Sequence, residues 1–254
     1  AVTENQTQYI ISLLFAGFTI GQIIYGPLSD SFGRKITIYL GMFIFAIGCI
    51  VGLMTTSFEI MLLARFLQGL GAASSRIITI AMTRDMYEGR EMARVMSFIM
   101  AVFIFVPALA PAIGQGIMLV SHWRIIFAMF LAVAFVACTW MHFRLPETLE
   151  PKNKRDFTFA TLKDGLRFVL GNKVTLCYTI CAGFIFGAFI GYLSSSQLIF
   201  QDYYGVGEMF SLYFGISAFS VGIASLVNAR VVKKVGMRWV CHYALIAMMI
   251  LAVI

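Results

Sequence analysis

Apolar residues run almost unbroken for twenty or so positions at a time, and the polar residues between them come in short packets. A helix needs about 20 apolar residues to cross the hydrocarbon core of a bilayer. Such stretches fall at roughly 8–29, 36–55, 59–83, 95–119, 124–143, 174–200, 209–229 and 238–254. The pattern predicts eight membrane-spanning helices, the last one cut short. The longest polar interval, Arg144 to Lys173, separates five spans from three. The expected organisation is an N-terminal helix bundle over 1–143, a linker over 144–173, and the start of a second bundle over 174–254. In the linker, Leu162, Leu166 and Val169 recur at helical spacing between charges, which suits either a helix on the membrane surface or a solvated connection.

Composition agrees with the pattern. The chain is 60% hydrophobic and 12% charged, with a mean hydropathy of +0.89. Soluble domains run at about 45–50% apolar and about 25% charged, so the fold class is all-α, a polytopic transmembrane bundle. The net charge of +7 does not point to nucleic acid, because the basic residues sit in the connections and not along one stripe or arm. All five cysteines lie inside apolar runs. Cys177 and Cys181 are one helical turn apart without an accompanying His or carboxylate, which reads as packing and not as a metal site. No nucleophile–base pair, metal cluster or phosphate loop stands out, so neither an enzyme nor a cofactor is expected.

The placement of Lys and Arg sets orientation. With the connections assigned alternately to two faces, every basic residue except Arg65, Arg76 and Arg124 falls on the face that carries Arg34 and Lys35. That face, with the linker, is expected to be cytoplasmic. Residues 1–7 then lie outside, which calls for an odd number of spans before Ala1, one being the smallest solution. Six spans, a linker and six more is the expected completion, of which this chain holds about eight of twelve.

The connection Gly26-Pro-Leu-Ser-Asp30-Ser-Phe-Gly33-Arg34-Lys35 is a tight, glycine-flanked, charged hairpin that sets two spans antiparallel. It resembles the loop after the second helix of transporters of the major facilitator superfamily, with Ser31 in place of the usual basic residue. Leu63-Ala-Arg65-Phe-Leu-Gln68-Gly69-Leu-Gly71 resembles the fourth-helix signature of the proton-driven drug antiporters. Val106-Pro107-Ala-Leu-Ala110-Pro111-Ala-Ile-Gly114-Gln115 resembles the antiporter motif of the fifth helix, with Val106, Ala110 and Gln115 where glycines are usual. With Thr83-Arg-Asp85-Met-Tyr87 and Met96-Ser-Phe98, the chain is most similar to the bicyclomycin-resistance (Bcr/CflA) branch of efflux proteins. Arg230 to Arg238 looks like a faded second copy of the first loop, as a parallel repeat implies.

The resemblance implies that Asp30 and Arg34, in the loop marked by Gly26, Gly33 and Lys35, latch the two halves of the transporter, against a partner beyond Ile254. Gly26 and Gly33 are expected to allow close backbone approach. Arg65 and Arg76 are the strongest candidates on physical grounds. A charge at the bilayer centre costs about 2.5–3.5 kcal/mol on insertion scales, so it rarely faces lipid. Eleven residues separate the two, which leaves them about 20° apart around a helix and about 16 Å apart along it. With Gln68, Ala72 and Thr79 they form a polar stripe suited to a water-filled cavity. The plainer alternatives are a structural partner for Arg65 and a snorkelling side chain for Arg76. Pro107 and Pro111 remove backbone donors, and Gly114 and Gly116 allow close packing. The resemblance implies a bend there that seals the cavity, while ordinary helix irregularity is the alternative. Phe103, Phe105, Phe184, Phe186 and Phe189 suit either lipid or a drug cavity.

No Asp or Glu occupies the middle of a span, and His122, His142 and His242 lie near span ends. Proton coupling relies on a carboxylate or His whose affinity is shifted by burial and a cationic neighbour. The expected function is export of drugs or other small molecules in exchange for protons, by alternating access, in the bacterial inner membrane. The expected partners are lipid, substrate and protons, and the expected state is a monomer. An exporter of an anionic metabolite or siderophore is the runner-up, and a non-transporting scaffold the third reading. Sequencing the frame upstream of Ala1 is expected to reveal a helix with an Asp or Glu near mid-membrane. A wholly apolar helix there would shift the reading to an anion carrier or another coupling ion.

Overall fold

The computed structural model describes residues 4–154 and 157–253. Among them the chain is helical, with no strand. The long helices are α1 (Glu4–Phe32), α2 (Arg34–Met54), α3 (Phe58–Met86), α4 (Gly89–Val120), α5 (Ile125–Arg144), α6 (Phe159–Gly171), α7 (Lys173–Leu198), α8 (Phe210–Val235) and α9 (Met237–Val253). Eight of these coincide with the eight predicted spans, and α6 occupies the linker. Gln8–Phe32, Arg34–Met54, Ile125–Arg144 and Lys173–Leu193 are long and apolar enough to cross a membrane by length and composition. Shorter apolar stretches occupy α4, α8 and α9. Phe43, Phe135, Trp140 and Phe143 are each well over half exposed, which water would penalise and hydrocarbon does not. The chain is a multi-pass membrane protein.

α3 is 29 residues long yet lies outside the group of most apolar helices. Arg65, Gln68, Ser74, Ser75, Arg76 and Thr79 dilute its apolar character. It tolerates them because it is enclosed by other helices.

Backbone proximity divides the chain into two compact units, residues 1–96 with 117–199 and residues 97–116 with 200–254. In the first, α3 is central: α1 packs on one side of it, α2 on the other, and α5 packs on α2. In the second, α8 packs on α9, and Phe200 stacks with Tyr213 next to Phe210 and the buried Phe214.

Small residues set the spacing around α3. A Cβ on Gly69 would overlap the Leu14 carbonyl of α1, and one on Gly71 would overlap the Gly41 carbonyl of α2. A Cβ on Gly48 would stand 2.7 Å from the Ala64 carbonyl oxygen and 2.8 Å from the Gln68 amide. Backbone therefore meets backbone on both sides of α3, the packing that lipid-embedded helices use where hydrophobicity gives no inward drive. Gly69, expected to belong to the cavity, is an α1–α3 contact.

Three glycines depart from expectation. Beyond its chain neighbours and its own helix backbone, no heavy atom among the described residues lies within 4 Å of a Cβ built on Gly26, Gly114 or Gly116. Gly26 has a local reason: it precedes Pro27 inside α1, where a Cβ would crowd the proline ring in a helical conformation. The charged connection is also shorter than the ten-residue motif suggested. α1 runs to Phe32 and α2 starts at Arg34, so Gly33 alone joins them, at φ 103°. That left-handed value is available to glycine at little cost.

Gly69→Leu should abolish folded yield in detergent, whereas Gly114→Ala should leave yield and Tm unchanged. Fluorescence-detected size exclusion and a thermal ramp on both variants check this.

Candidate functional site

α2 begins with Arg34 and Lys35, has no acidic residue in its first turn, and has Gly33 at its N-cap with no side-chain cap. Unpaired backbone N–H groups and a positive dipole end make this the wrong place for two cations. α7 shows the ordinary solution, where Asn172 Oδ1 accepts from the Val174 and Thr175 amides at 3.1 and 3.2 Å. At α2 the solution comes from elsewhere in the chain. Asp30 from the last turn of α1, Asp85 from the last turn of α3 and Glu147 from the segment after α5 all converge on it.

Arg34 is 7% exposed. Its Nε donates to Asp85 Oδ2 at 2.9 Å, and its Nη2 reaches Asp85 Oδ1 at 3.5 Å. Its Nη1 donates to Asp30 and to the buried Ser29 hydroxyl, the latter at 2.7 Å. The Thr148 hydroxyl donates to Asp85 Oδ2 at 3.2 Å. A buried cation is tolerated only when paired and hydrogen-bonded, and the guanidinium fork meets both carboxylates at once.

Glu147 addresses the backbone. Its Oε1 accepts from the amides of Arg34 (2.9 Å), Thr148 (3.0 Å) and Leu149 (3.1 Å), and its Oε2 from the Lys35 amide (3.0 Å). Burial pushes its carboxyl up, but the four backbone N–H groups outweigh that and hold it below the usual carboxylate range. A Cβ on Gly33 would lie 2.8 Å from Glu147 Oε2, so the glycine also makes room for its neighbour's cap. The Lys35 ammonium turns away and donates to the His142 carbonyl at 3.1 Å, in the last turn of α5, where a cation is favourable.

The second cluster is built around α3. Arg65 Nη1 donates to Gln68 Oε1 at 3.3 Å, and Gln68 Nε2 donates to Cys49 Sγ at 3.1 Å. The Arg65 guanidinium stands 4.7 Å from the centroid of Phe127, itself 1% exposed. Arg65 Nε is buried with no hydrogen-bond partner among the described residues. Arg76 reaches other neighbours, with Phe18 of α1 and Phe186 of α7 at 5.9 and 5.6 Å from its guanidinium carbon. The two arginines leave α3 on nearly one face, as their spacing requires, but they end among different side chains. Gln68 is buried against α2 and Thr79 is exposed, so the expected single stripe is divided.

In α4 the helix continues through positions 107 and 111. The Pro107 and Phe105 side chains lie outside the described residues, as do those of residues 159–162 in the linker.

Sequence reasoning named Asp30, Arg34 and Lys35 but missed Glu147 and Phe127, and met Ser29 and Asp85 only inside motifs. A usable signal was present for the carboxylates. A helix that opens Gly-Arg-Lys without Ser, Thr, Asp or Asn before it must find its caps elsewhere.

The model of the Major Facilitator Superfamily matches residues 1–254. The chain belongs to that superfamily of membrane transporters. It is 30% identical over 245 residues to a bicyclomycin resistance protein homolog of Haemophilus influenzae, covering 96% of this chain and 62% of that protein. It is 29% identical over 233 residues to an uncharacterized MFS-type transporter of Bacillus subtilis, covering 91% and 58%. A chloramphenicol resistance protein of Pseudomonas aeruginosa is 30% identical over 240 residues, covering 93% and 55%. The chain thus spans between half and two thirds of the length of these relatives. The first of them agrees with the bicyclomycin-resistance resemblance of its motifs.

Arg34→Lys keeps the charge but loses the fork. It should destabilise the bundle by about 1.5–3 kcal/mol, the range for hydrogen bonds to charged groups, read as a lower Tm of the purified protein.

Proposed function

We propose that this chain forms part of a secondary exporter of drugs or other small molecules, driven by proton exchange and working by alternating access. The observation that carries this is Arg65. It is a cation inside a membrane helix, about two turns from the start of α3, with one buried donor unmatched among the described residues. Such a donor leaves room for an acidic or anionic partner, and a nearby carboxylate whose protonation switches the pairing is what proton coupling needs. The names of the bicyclomycin and chloramphenicol resistance relatives support drugs as cargo. In this reading the end of the bundle that carries Arg34 is cytoplasmic and residues 144–173 form the cytoplasmic linker. The Asp30–Arg34–Asp85 cluster is the gating element that opens and closes that side. Residues 1–143 and 174–254 belong to two bundles that rock about a midplane cavity.

The same unmatched donor suits an anionic substrate, with Arg65 binding cargo instead of answering to a proton carrier. The two readings part on energetics.

In the full-length protein, Arg65→Ala should abolish efflux of a fluorescent drug from cells while membrane expression stays normal. A protonophore should stop efflux by the unaltered protein. Retained efflux in Arg65→Ala returns the residue to a structural role. Efflux of an organic anion that survives the protonophore favours the second reading.

A further inference from the structure

Arg124 is the exception to the charge bias of the connections, since it sits on the face that is otherwise free of Lys and Arg. The structure accounts for it. Its Nη2 donates to the Thr55 carbonyl at 2.9 Å, and its guanidinium stacks 4.4 Å from the centroid of Trp123. Thr55 is the C-cap of α2, so Arg124 places a cation on the negative end of that helix. Glu147 places an anion on the positive end. Arg124 immediately precedes α5 and Glu147 follows it by three residues, so both caps of α2 come from the two flanks of one neighbouring helix.

Further contacts join α2 to α5 between the caps. Phe127 is close enough to Gly52 that a Cβ there would overlap its ring. The rings of Phe45 and Phe130 are 6.5 Å apart. The Tyr39 hydroxyl is 3.3 Å from His142 Nδ1, and Lys35 Nζ holds the His142 carbonyl. These contacts run antiparallel along the two helices, from Thr55 with Arg124 to Arg34 with Glu147.

We propose that Arg124 and Glu147 are positioning residues that bracket α2, locking it to α5 so that Arg34 follows the segment 145–149. The gate is then set from two directions. Asp30 and Asp85 hold the Arg34 side chain, while Glu147 holds its backbone and ties it to the start of the linker. Any displacement of the linker's first residues acts on Arg34 through the Glu147 carboxylate. The functional half of this inference rests on the gating role given above to Arg34, whereas the bracket itself does not.

The test is hydrogen exchange on the full-length protein in detergent, followed in peptides that cover Arg34–Tyr39 and Ile50–Thr55, alongside transport kinetics. Glu147→Ala should speed exchange at the Arg34 and Lys35 amides at least tenfold while the middle of α2 keeps its protection. Arg124→Ala should do the same at the last residues of α2. Glu147→Gln, which keeps an acceptor oxygen but not the charge, should fall between and serves if the alanine variant does not fold. All three should lower maximal transport rate with the half-saturating drug concentration unchanged. Unchanged exchange at 34 and 35, or loss spread evenly through α2, overturns the bracket. Released amides with an unchanged transport rate overturn its gating role. Exchange is read without substrate, so an unaltered protein that moves no drug would defeat the proposed export and leave the exchange result standing.

Discussion

Two cations at the N-terminus of α2 are the constraint on which the charged end of this bundle depends. Arg34 and Lys35 stand where the helix dipole and the unpaired amides already concentrate positive charge. The helix itself offers little relief, because Gly33 has no side chain and the first turn has no acid, and only Asp30 and Ser29 lie near in sequence. Relief comes only when α1, α3 and the segment after α5 are assembled, each contributing one carboxylate. The arrangement is therefore also a measure of assembly. If any one of the three elements shifts, a buried or half-buried charge loses its partner, and that is costly in a low-dielectric setting. A gate needs such a dependence, because two positions of a helix must differ in energy by a definite contact.

The polar character of α3 is tolerable for a related reason. Its flanks meet α1 and α2 through glycines, so its neighbours stand at backbone distance and cover the polar groups. Gln68 and Ser74 are fully buried as a result. Arg65 then finds an aromatic face and a glutamine that itself donates to the Cys49 thiol, enough to shelter the charge but not to satisfy every donor. Close packing and an incompletely paired cation thus arise from the same short stretch of sequence.

Much of the architecture was legible in hydropathy. Spans of twenty apolar residues gave helices within six residues of their observed bounds, since bilayer thickness sets a minimum length for a spanning helix. The Gly33–Lys35 segment was legible as a junction, but its compression to a single glycine was not. Apolar residues through Leu28 mark the end of the lipid-facing run, while Ser29 to Phe32 continue the helix for the sake of the Arg34 cluster. The partners of Arg34 were hidden because Asp85 and Glu147 lie about 50 and 110 residues away in sequence, and no periodicity links them. The divided fate of Arg65 and Arg76 was hidden for a different reason. Helical spacing places Cβ atoms, and a guanidinium extends several bonds beyond. Its destination depends on which aromatic ring a neighbouring helix offers.

The contrast between Arg34 and Arg65 separates two uses of one residue type. Arg34 has carboxylates at both edges of its fork and a hydroxyl besides, so it has little capacity to respond to a small change in its surroundings until the helices themselves part. Arg65 keeps a buried donor without a partner among the described residues, so a group that arrives beside it gains a hydrogen bond without breaking another. The saturated arginine suits a switch thrown by motion of whole helices. The unsaturated one suits a sensor of charge, whether that charge is a titrating carboxylate or an anionic cargo. A transporter that couples binding to rocking needs both kinds, one to register the ligand or proton and one to hold the shape that the signal releases. α3 bears Arg65 about two turns from its start and Asp85 at its end, so a single helix joins the unsaturated arginine to a carboxylate of the saturated one.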